Sequence, residues 1–326
     1  MGDPEAMRVL VTGSAGRMGR SVVTALASSG HEVIGIDLSP GDPADGACAS
    51  VLAADVTDLG ESFEVMSRYR PEAVVHLAAV ATPFGRTDGL TYRVNTQAAF
   101  NVCEAAVRTG VRRVIVASSP TVIGYGAPDG SWRPSCLPLD EDHPVRPWNA
   151  YSLSKLAAEQ TMRTFAAAAG DSVRFAAVRP CFVIPPEEWQ GAPTQTGHSV
   201  TERLDDPAIA GASLFNYLDA RDGGEMVDTL LAALPEIPNG EVFFAGAADA
   251  FAREPLSVLL PRIHPATEQA AAALTGTTPA FSSAKAERLL GWRAKRSWRT
   301  ELPDAGATGR RTGPPAHASV PDPSRT

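Results

Sequence analysis

Along the first half of the chain, short apolar runs rich in β-branched residues alternate with longer stretches in which apolar positions recur every three or four residues. The runs at 8–12, 32–37, 73–77, 111–118 and 172–179 read as strands, and the stretches at 18–28, 90–108 and 151–169 as helices. The first two helices end at Gly30 and Gly110, residues suited to a left-handed cap. Such alternation predicts βαβ units and therefore an α/β fold: a Rossmann-type, doubly wound parallel sheet. From residue 181 to 213 the pattern dissolves into a Pro/Gly-rich segment, too long for an ordinary connection, which is expected to build or lid a pocket. A helix near 224–234, a strand at 241–245 and a helix near 283–290 follow. The predicted layout is a sheet domain over 1–180 to which later strands return, a small C-terminal substrate lobe with its lid over 181–302, and a tail over 303–326. That tail, low in large apolar residues, is expected to be disordered.

Composition narrows the classes of function. With 326 residues, 44% of them apolar, the chain is long enough for a large domain and a smaller capping lobe. A net charge of −8, with no run of Lys and Arg longer than a pair, argues against a nucleic-acid partner and leaves a small molecule as the expected ligand. No run approaches the roughly 18 unbroken apolar residues of a membrane span, and residues 1–10 lack the layout of a signal peptide, so a cytoplasmic location is expected. Cys48, Cys103, Cys136 and Cys181 are scattered, which predicts reduced thiols and no metal site.

Candidate chemistry begins at the first strand-to-helix turn, TGSAGRMG, with Gly13, Gly16 and Gly19 and the intervening Arg17 and Met18. Glycines there let the backbone approach a pyrophosphate held by the N–H groups and dipole of the next helix, although any sharp βα turn can use them. The second strand ends in Asp37, eighteen positions beyond Gly19, where a carboxylate can accept from adenosine ribose hydroxyls and repel a 2′-phosphate. That favours NAD over NADP. Asp55 and Val56 are expected near the adenine, the small run Leu77, Ala78 and Ala79 under the dinucleotide, and Asn95 as a brace through backbone hydrogen bonds.

The second constellation is YSLSK. Tyr151 and Lys155 lie one helical turn apart on one face. A phenol titrates near pKa ~10, and proton transfer near neutrality needs a shift of roughly 3 units, about 4 kcal/mol. The Lys155 ammonium is expected to supply it by favouring the phenolate, and also to hydrogen-bond the nicotinamide ribose. The strand before this helix ends in ASSPTVIG, where Ser119, or less favourably Ser118, is placed to hold the oxygen that changes charge.

These fragments, with HLAA at 76–79, VRP at 178–180, NYLDARD at 216–222 and AERLLGW at 286–292, make residues 7–292 resemble the extended short-chain dehydrogenase/reductase family, the NAD-dependent sugar epimerase and dehydratase group. The resemblance implies a Rossmann domain with a small substrate lobe, Ser119, Tyr151 and Lys155 as catalytic positions, and Gly13, Gly16, Gly19 and Asp37 as NAD positions. It also implies a homodimer paired through the two long helices. Departures bear on the substrate. Pro120 and Thr121 replace the acidic residues of the group's dehydratases, which disfavours elimination, and Ile123 replaces its usual Tyr. Phe215 and Asn216 stand where nucleotide-sugar epimerases carry a diphosphate-binding arginine, while Arg179, Arg203 and Arg221 are candidate anion partners. Hydride transfer at a secondary alcohol of a carbohydrate-like substrate is the leading expectation. It ends either in epimerisation or in release of NADH by a sugar or sugar-acid dehydrogenase. A non-catalytic NAD-binding regulator is the alternative from another class.

Overall fold

The computed structural model describes residues 6–41 and 47–302. The expected tail over 303–326 lies outside the described residues. In chain order the first elements are β1 (Arg8–Thr12), α1 (Gly19–Ser28), β2 (Glu32–Asp37), β3 (Ser50–Ala53), α2 (Leu59–Tyr69), β4 (Ala73–His76), α3 (Asp88–Thr109), β5 (Arg113–Ala117), α4 (Ala150–Ala169) and β6 (Arg174–Pro180). Then come β7 (Val183–Ile184), three short helices α5 (Pro186–Trp189), α6 (Val200–Asp205) and α7 (Pro207–Gly211), β8 (Leu218–Asp219), α8 (Ala220–Ala233) and β9 (Glu241–Ala245). The helices α9 (Leu256–Ile263), α10 (Glu268–Ala271), α11 (Ala284–Leu290) and α12 (Trp298–Glu301) complete the described chain.

Seven parallel strands form one sheet in the order β3-β2-β1-β4-β5-β6-β9. The direction of winding reverses between β1 and β4, so their carboxyl ends splay apart and open a crevice. Strands such as AVVH are buried along their whole length because helices cover both faces of the sheet. Val11, Ile115 and Phe243 face one apolar cluster, Leu10, Ile34, Val74 and Phe175 the other. The first cluster continues without a break into the C-terminal lobe through Trp189, Leu214, Phe251 and Trp298.

The predicted α/β sheet is what the chain builds, with element ends shifted by a few residues. β3 and α2 carry no expectation above. β3 is only four residues long and sits half-buried at the sheet edge, so it has little apolar content to announce it. α2 rests on its Asp58 cap, whose side chain accepts from the Glu61 N–H, and on a narrow apolar face. The irregular segment after residue 181 holds β7 and α5 to α7, each too short to show a helical or strand period. Ser199 and Glu202 nonetheless form a reciprocal capping box at the start of α6. α8 leaves the lobe and packs on α1 at very close range: a Cβ on Gly224 would lie 2.6 Å from the Ser21 carbonyl oxygen.

One buried ion pair joins α4 to the sheet. Glu159 takes both Nε (2.7 Å) and Nη2 (2.9 Å) of Arg179 from β6, and Oε1 also accepts from the Ser118 hydroxyl at 2.5 Å. Both charged side chains are almost wholly removed from water. Removing one partner of such a pair strands the other charge in a dry interior. Replacing Glu159 with Ala is therefore expected to cost about 3–5 kcal/mol of stability in urea unfolding. A loss below about 1 kcal/mol would contradict this account of the pair.

Candidate active site

The crevice at the β1/β4 divergence is a single cleft of about 890 Å³. At its nucleotide end the turn after β1 is as tight as its glycines suggest. Gly13 has φ +71°, and a Cβ there would stand 2.6 Å from the Ala78 amide nitrogen; one on Gly19 would stand 2.0 Å from the Gly13 oxygen. No L side chain fits either place. Gly13 donates to the Ile36 carbonyl at 2.8 Å, which docks the turn on β2. Asp37, at the end of β2, lines the cleft and accepts from the Ala15 N–H at 3.2 Å, leaving further lone pairs free. Asp55 also lines the cleft but caps a local turn, accepting from the N–H (2.9 Å) and hydroxyl (2.7 Å) of Thr57.

Val56, Leu77, Ala78 and Ala79 line the same wall, together with Gly16, Arg17 and Met18. Arg17 reaches away from the turn to the lobe, pairing with Glu188 of α5 and donating to the Val183 carbonyl at 2.5 Å. Asn95 is outside the cleft and buried beneath it. Its Oδ1 accepts from the Val80 N–H at 2.7 Å, and its Nδ2 donates to the Val80 carbonyl (3.2 Å) and to Ser154 Oγ (2.9 Å). Asn101, which no local pattern singles out, holds the loop after β3 by donating to the carbonyls of Val56 and Thr57.

At the other end, three consecutive residues at the tip of β5 meet three successive turns of α4. The Ala117 carbonyl accepts from Lys155 Nζ at 2.9 Å, Ser118 donates to Glu159, and the Ser119 hydroxyl lies close enough to the Tyr151 phenol to favour its phenolate. Residues 151, 155 and 159 share one helical stripe, so a single docking of α4 sets all three contacts. An Asn149 cap and reciprocal Ser152 contact fix where that helix begins. Ser118, Ser119, Tyr151 and Lys155 all border the cleft, but the Ser118 hydroxyl is occupied by Glu159. Thr121, noted above only as a departure from the dehydratases, donates its hydroxyl to Ser119 Oγ at 2.9 Å.

One electrostatic expectation is corrected. The phenol of Tyr151 is held above its ordinary range, because burial penalises the phenolate more than the Ser119 hydrogen bond favours it. Lys155 does not reverse this: its Nζ is 6.0 Å from the ring centroid, and its own burial lowers it to about 8. The protein alone therefore supplies no net stabilisation of the phenolate. Of the three candidate anion-binding arginines, Arg179 is taken by Glu159 and Arg221 by Asp219 and Glu301. Arg203 lines the cleft beside Phe182, and among the described residues it has no carboxylate partner. Among the described residues no three His, Cys, Asp or Glu side chains are grouped to hold a metal, and no helix is long and apolar enough to cross a membrane.

A bare-backbone turn, a carboxylate at the tip of β2 and a serine, tyrosine and lysine around one cleft define a short-chain dehydrogenase/reductase architecture. Residues 9–246 match the NAD dependent epimerase/dehydratase family, and the chain belongs to that family, with NAD as cofactor. A UDP-glucose 4-epimerase of Azospirillum brasilense is 36% identical over 167 residues, half of this chain and 46% of that enzyme. A UDP-glucose 4-epimerase of Corynebacterium glutamicum is 29% identical across 96% of this chain and 99% of its own length. A short-chain dehydrogenase/reductase superfamily protein of Agrobacterium tumefaciens, solved with bound NAD, superposes with a TM-score of 0.66 at 25% identity, covering 91% of this chain and 95% of that one.

The residues present fit the dinucleotide. The glycine turn leaves space where side chains would intrude, Asp37 has free acceptors, and Lys155 uses one donor of three on protein. Below the turn, His76 Nδ1 and the Thr12 hydroxyl share a hydrogen bond of 2.8 Å, and Thr12 Oγ1 accepts from the Ala78 N–H at 3.2 Å. Burial, with Lys155 nearby, lowers this imidazole to about 3. An unfolded chain protonates the ring below about 6.5, so between those values the unfolded state binds the extra proton, and stability is lost as pH falls through the window. Urea midpoints taken from about pH 7 down to about pH 4 should fall more steeply for the wild type than for His76→Asn. Equal slopes would show that His76 is not the group responsible.

Proposed function

We propose that the protein catalyses NAD-dependent hydride transfer at a secondary alcohol of a sugar-type substrate, with Ser119, Tyr151 and Lys155 as its catalytic residues. The observation that carries this reading is the convergence of those three side chains on the cleft whose far end holds the glycine turn and Asp37. Tyr151, as phenolate, takes the proton of the substrate hydroxyl, and Ser119 donates to the same oxygen as its charge changes. Thr121 keeps the Ser119 hydroxyl oriented. Lys155 is fixed by the Ala117 carbonyl and retains two N–H donors for the nicotinamide ribose. Bound NAD supplies the acceptor of the hydride, and its positive nicotinamide provides the extra stabilisation of the phenolate that the apo site lacks.

Gly13, Gly16, Gly19, Arg17 and Met18 are assigned to the pyrophosphate side, Asp37, Asp55 and Val56 to adenosine, and Leu77, Ala78 and Ala79 to the wall beneath the dinucleotide. Asn95 supports that wall from below. Pro120 and Thr121 offer no acid for elimination, which leaves redox or epimerisation chemistry. A cytoplasmic location accords with four unpaired cysteines and NAD dependence.

Replacing Tyr151 with Phe keeps the ring and removes the oxygen. Turnover is expected to fall by about 10²–10⁴-fold, with NAD affinity in calorimetry unchanged. A variant as active as wild type would refute the mechanism, and a wild type that binds NAD but turns over no sugar would favour a regulatory protein. Absorbance of NADH separates the two outcomes of turnover: accumulation in step with product identifies a dehydrogenase, and a changed stereocentre without accumulation an epimerase.

A homodimer through α3 and α4 is part of the same reading, supported by exposed apolar side chains Tyr92, Phe100 and Leu153 on those helices. Sedimentation should show a dimer that Phe100→Glu weakens. A wild-type monomer at every concentration would exclude it.

A further inference from the structure

We propose that a recess beside the reactive cleft is a second carbohydrate subsite, so that the enzyme acts on one ring of a disaccharide or longer glycoside rather than on a free monosaccharide. The proposal rests on the functional reading above and adds the size of the substrate. The recess holds about 290 Å³, near the roughly 300 Å³ at which ligand sites begin, and so suits one ring rather than a nucleotide. Trp132 and Trp148 give it flat apolar walls, and Asp129, Ser131 and Arg146 give it a polar rim. Aromatic walls of this kind take the C–H face of a pyranose, and a planar acceptor beside a planar donor takes its hydroxyls. Trp132 is 7% exposed, and among the described residues its buried indole N–H has no acceptor. Such a donor is costly unless a ligand oxygen completes it.

One aromatic pair joins the recess to the cleft. Phe84 borders the cleft, Trp148 borders the recess, and their ring centroids lie 5.9 Å apart at an interplanar angle of 38°. Phe84 is 69% exposed, and its backbone sits in the left-handed region at φ +64°. A bulky residue is strained there, and a ring left in solvent gains little by packing, so the position serves contact with a ligand rather than stability. Trp148 is fixed by donating Nε1 to the Tyr125 carbonyl at 3.0 Å, one residue before the Asn149 cap of the helix that bears Tyr151. The Arg146 N–H donates to the Val122 carbonyl at 2.8 Å, and the Arg146 carbonyl oxygen stands 2.1 Å from where a Cβ on Gly124 would lie. The recess is thereby built onto the turn that starts at Ser119. Charge selects a neutral ligand. The Ser131 N–H, with Arg146 nearby, holds the Asp129 carboxyl below its ordinary range, so the rim carries one anion and one cation that offset each other. Asp129 Oδ1 accepts from that N–H at 2.9 Å, and Oδ2 remains for a ligand hydroxyl. Among the described residues no side-chain hydrogen bond or ion pair engages the Arg146 guanidinium, whose donors remain for the same purpose.

The test is calorimetric titration of the NAD-loaded protein with cellobiose, lactose and maltose, with D-glucose and D-galactose as single rings and uridine as a flat base. At least one disaccharide should bind the wild type about tenfold more tightly than either single ring, with an affinity that salt leaves unchanged. Phe84→Ala should weaken that disaccharide about 3–10-fold. Asp129→Asn and Trp132→Phe, which removes the N–H and keeps an aromatic ring, should each weaken it severalfold. All three variants should bind the single rings and NAD as the wild type does. Phe84 and Asp129 are exposed, so their variants serve if Trp132→Phe fails to fold. No disaccharide preferred over its component rings, wild-type affinity in both Phe84→Ala and Asp129→Asn, or uridine bound more tightly than every sugar would overturn the proposal. Tyr151→Phe should bind the disaccharide normally. A disaccharide held through these residues but never turned over would overturn the hydride-transfer reading and leave the subsite standing, so the two failures are distinguishable.

Discussion

The tip of β5 against α4 is the contact on which the reactive geometry depends. A carbonyl, a hydroxyl and a second hydroxyl from residues 117, 118 and 119 meet an ammonium, a carboxylate and a phenol from successive turns of one helix. Strand side chains alternate in direction while a helix stripe does not, so the three contacts need the strand to end at this place and its chain to turn. The turn that follows, beginning at Pro120, does this, and Ser119 accepts from the Thr121 N–H within it. Glu159 and Arg179 then clamp the helix from below, at a position where slippage by one residue would separate all three pairs.

Charge in the cleft runs opposite to charge on the chain. A protein of net charge −8 places Lys155, Arg17 and Arg203 along one crevice, each lowered by burial. Among the described residues only Arg17 of these three has a carboxylate partner, Glu188, and that contact also ties the glycine turn to α5. The phenol of Tyr151, held above its ordinary range by burial, keeps its proton in this setting.

Much of this was legible in the residues themselves. The strand and helix periods, the glycine turn, Asp37 and the four-residue spacing of Tyr151 and Lys155 are local signals, each written within one element or one turn. They sufficed for the sheet and for most of the residues that meet at its cleft. The sequence could not choose between Ser118 and Ser119, because adjacent strand residues differ only in which side they face, and Glu159 decides that. Nor could it rank Arg179, Arg203 and Arg221, since their partners lie 20, 7 and 10, or 2 and 80 positions away.

What the sequence determined alone is the set of short-range rules: period, caps, glycine freedom and side-chain spacing, whose energetics are settled within a few residues. The tertiary structure decided which charges are paired, which hydroxyl faces the cleft, and how far burial moves a proton. Those depend on desolvation and on contacts between distant segments, quantities that no local pattern contains.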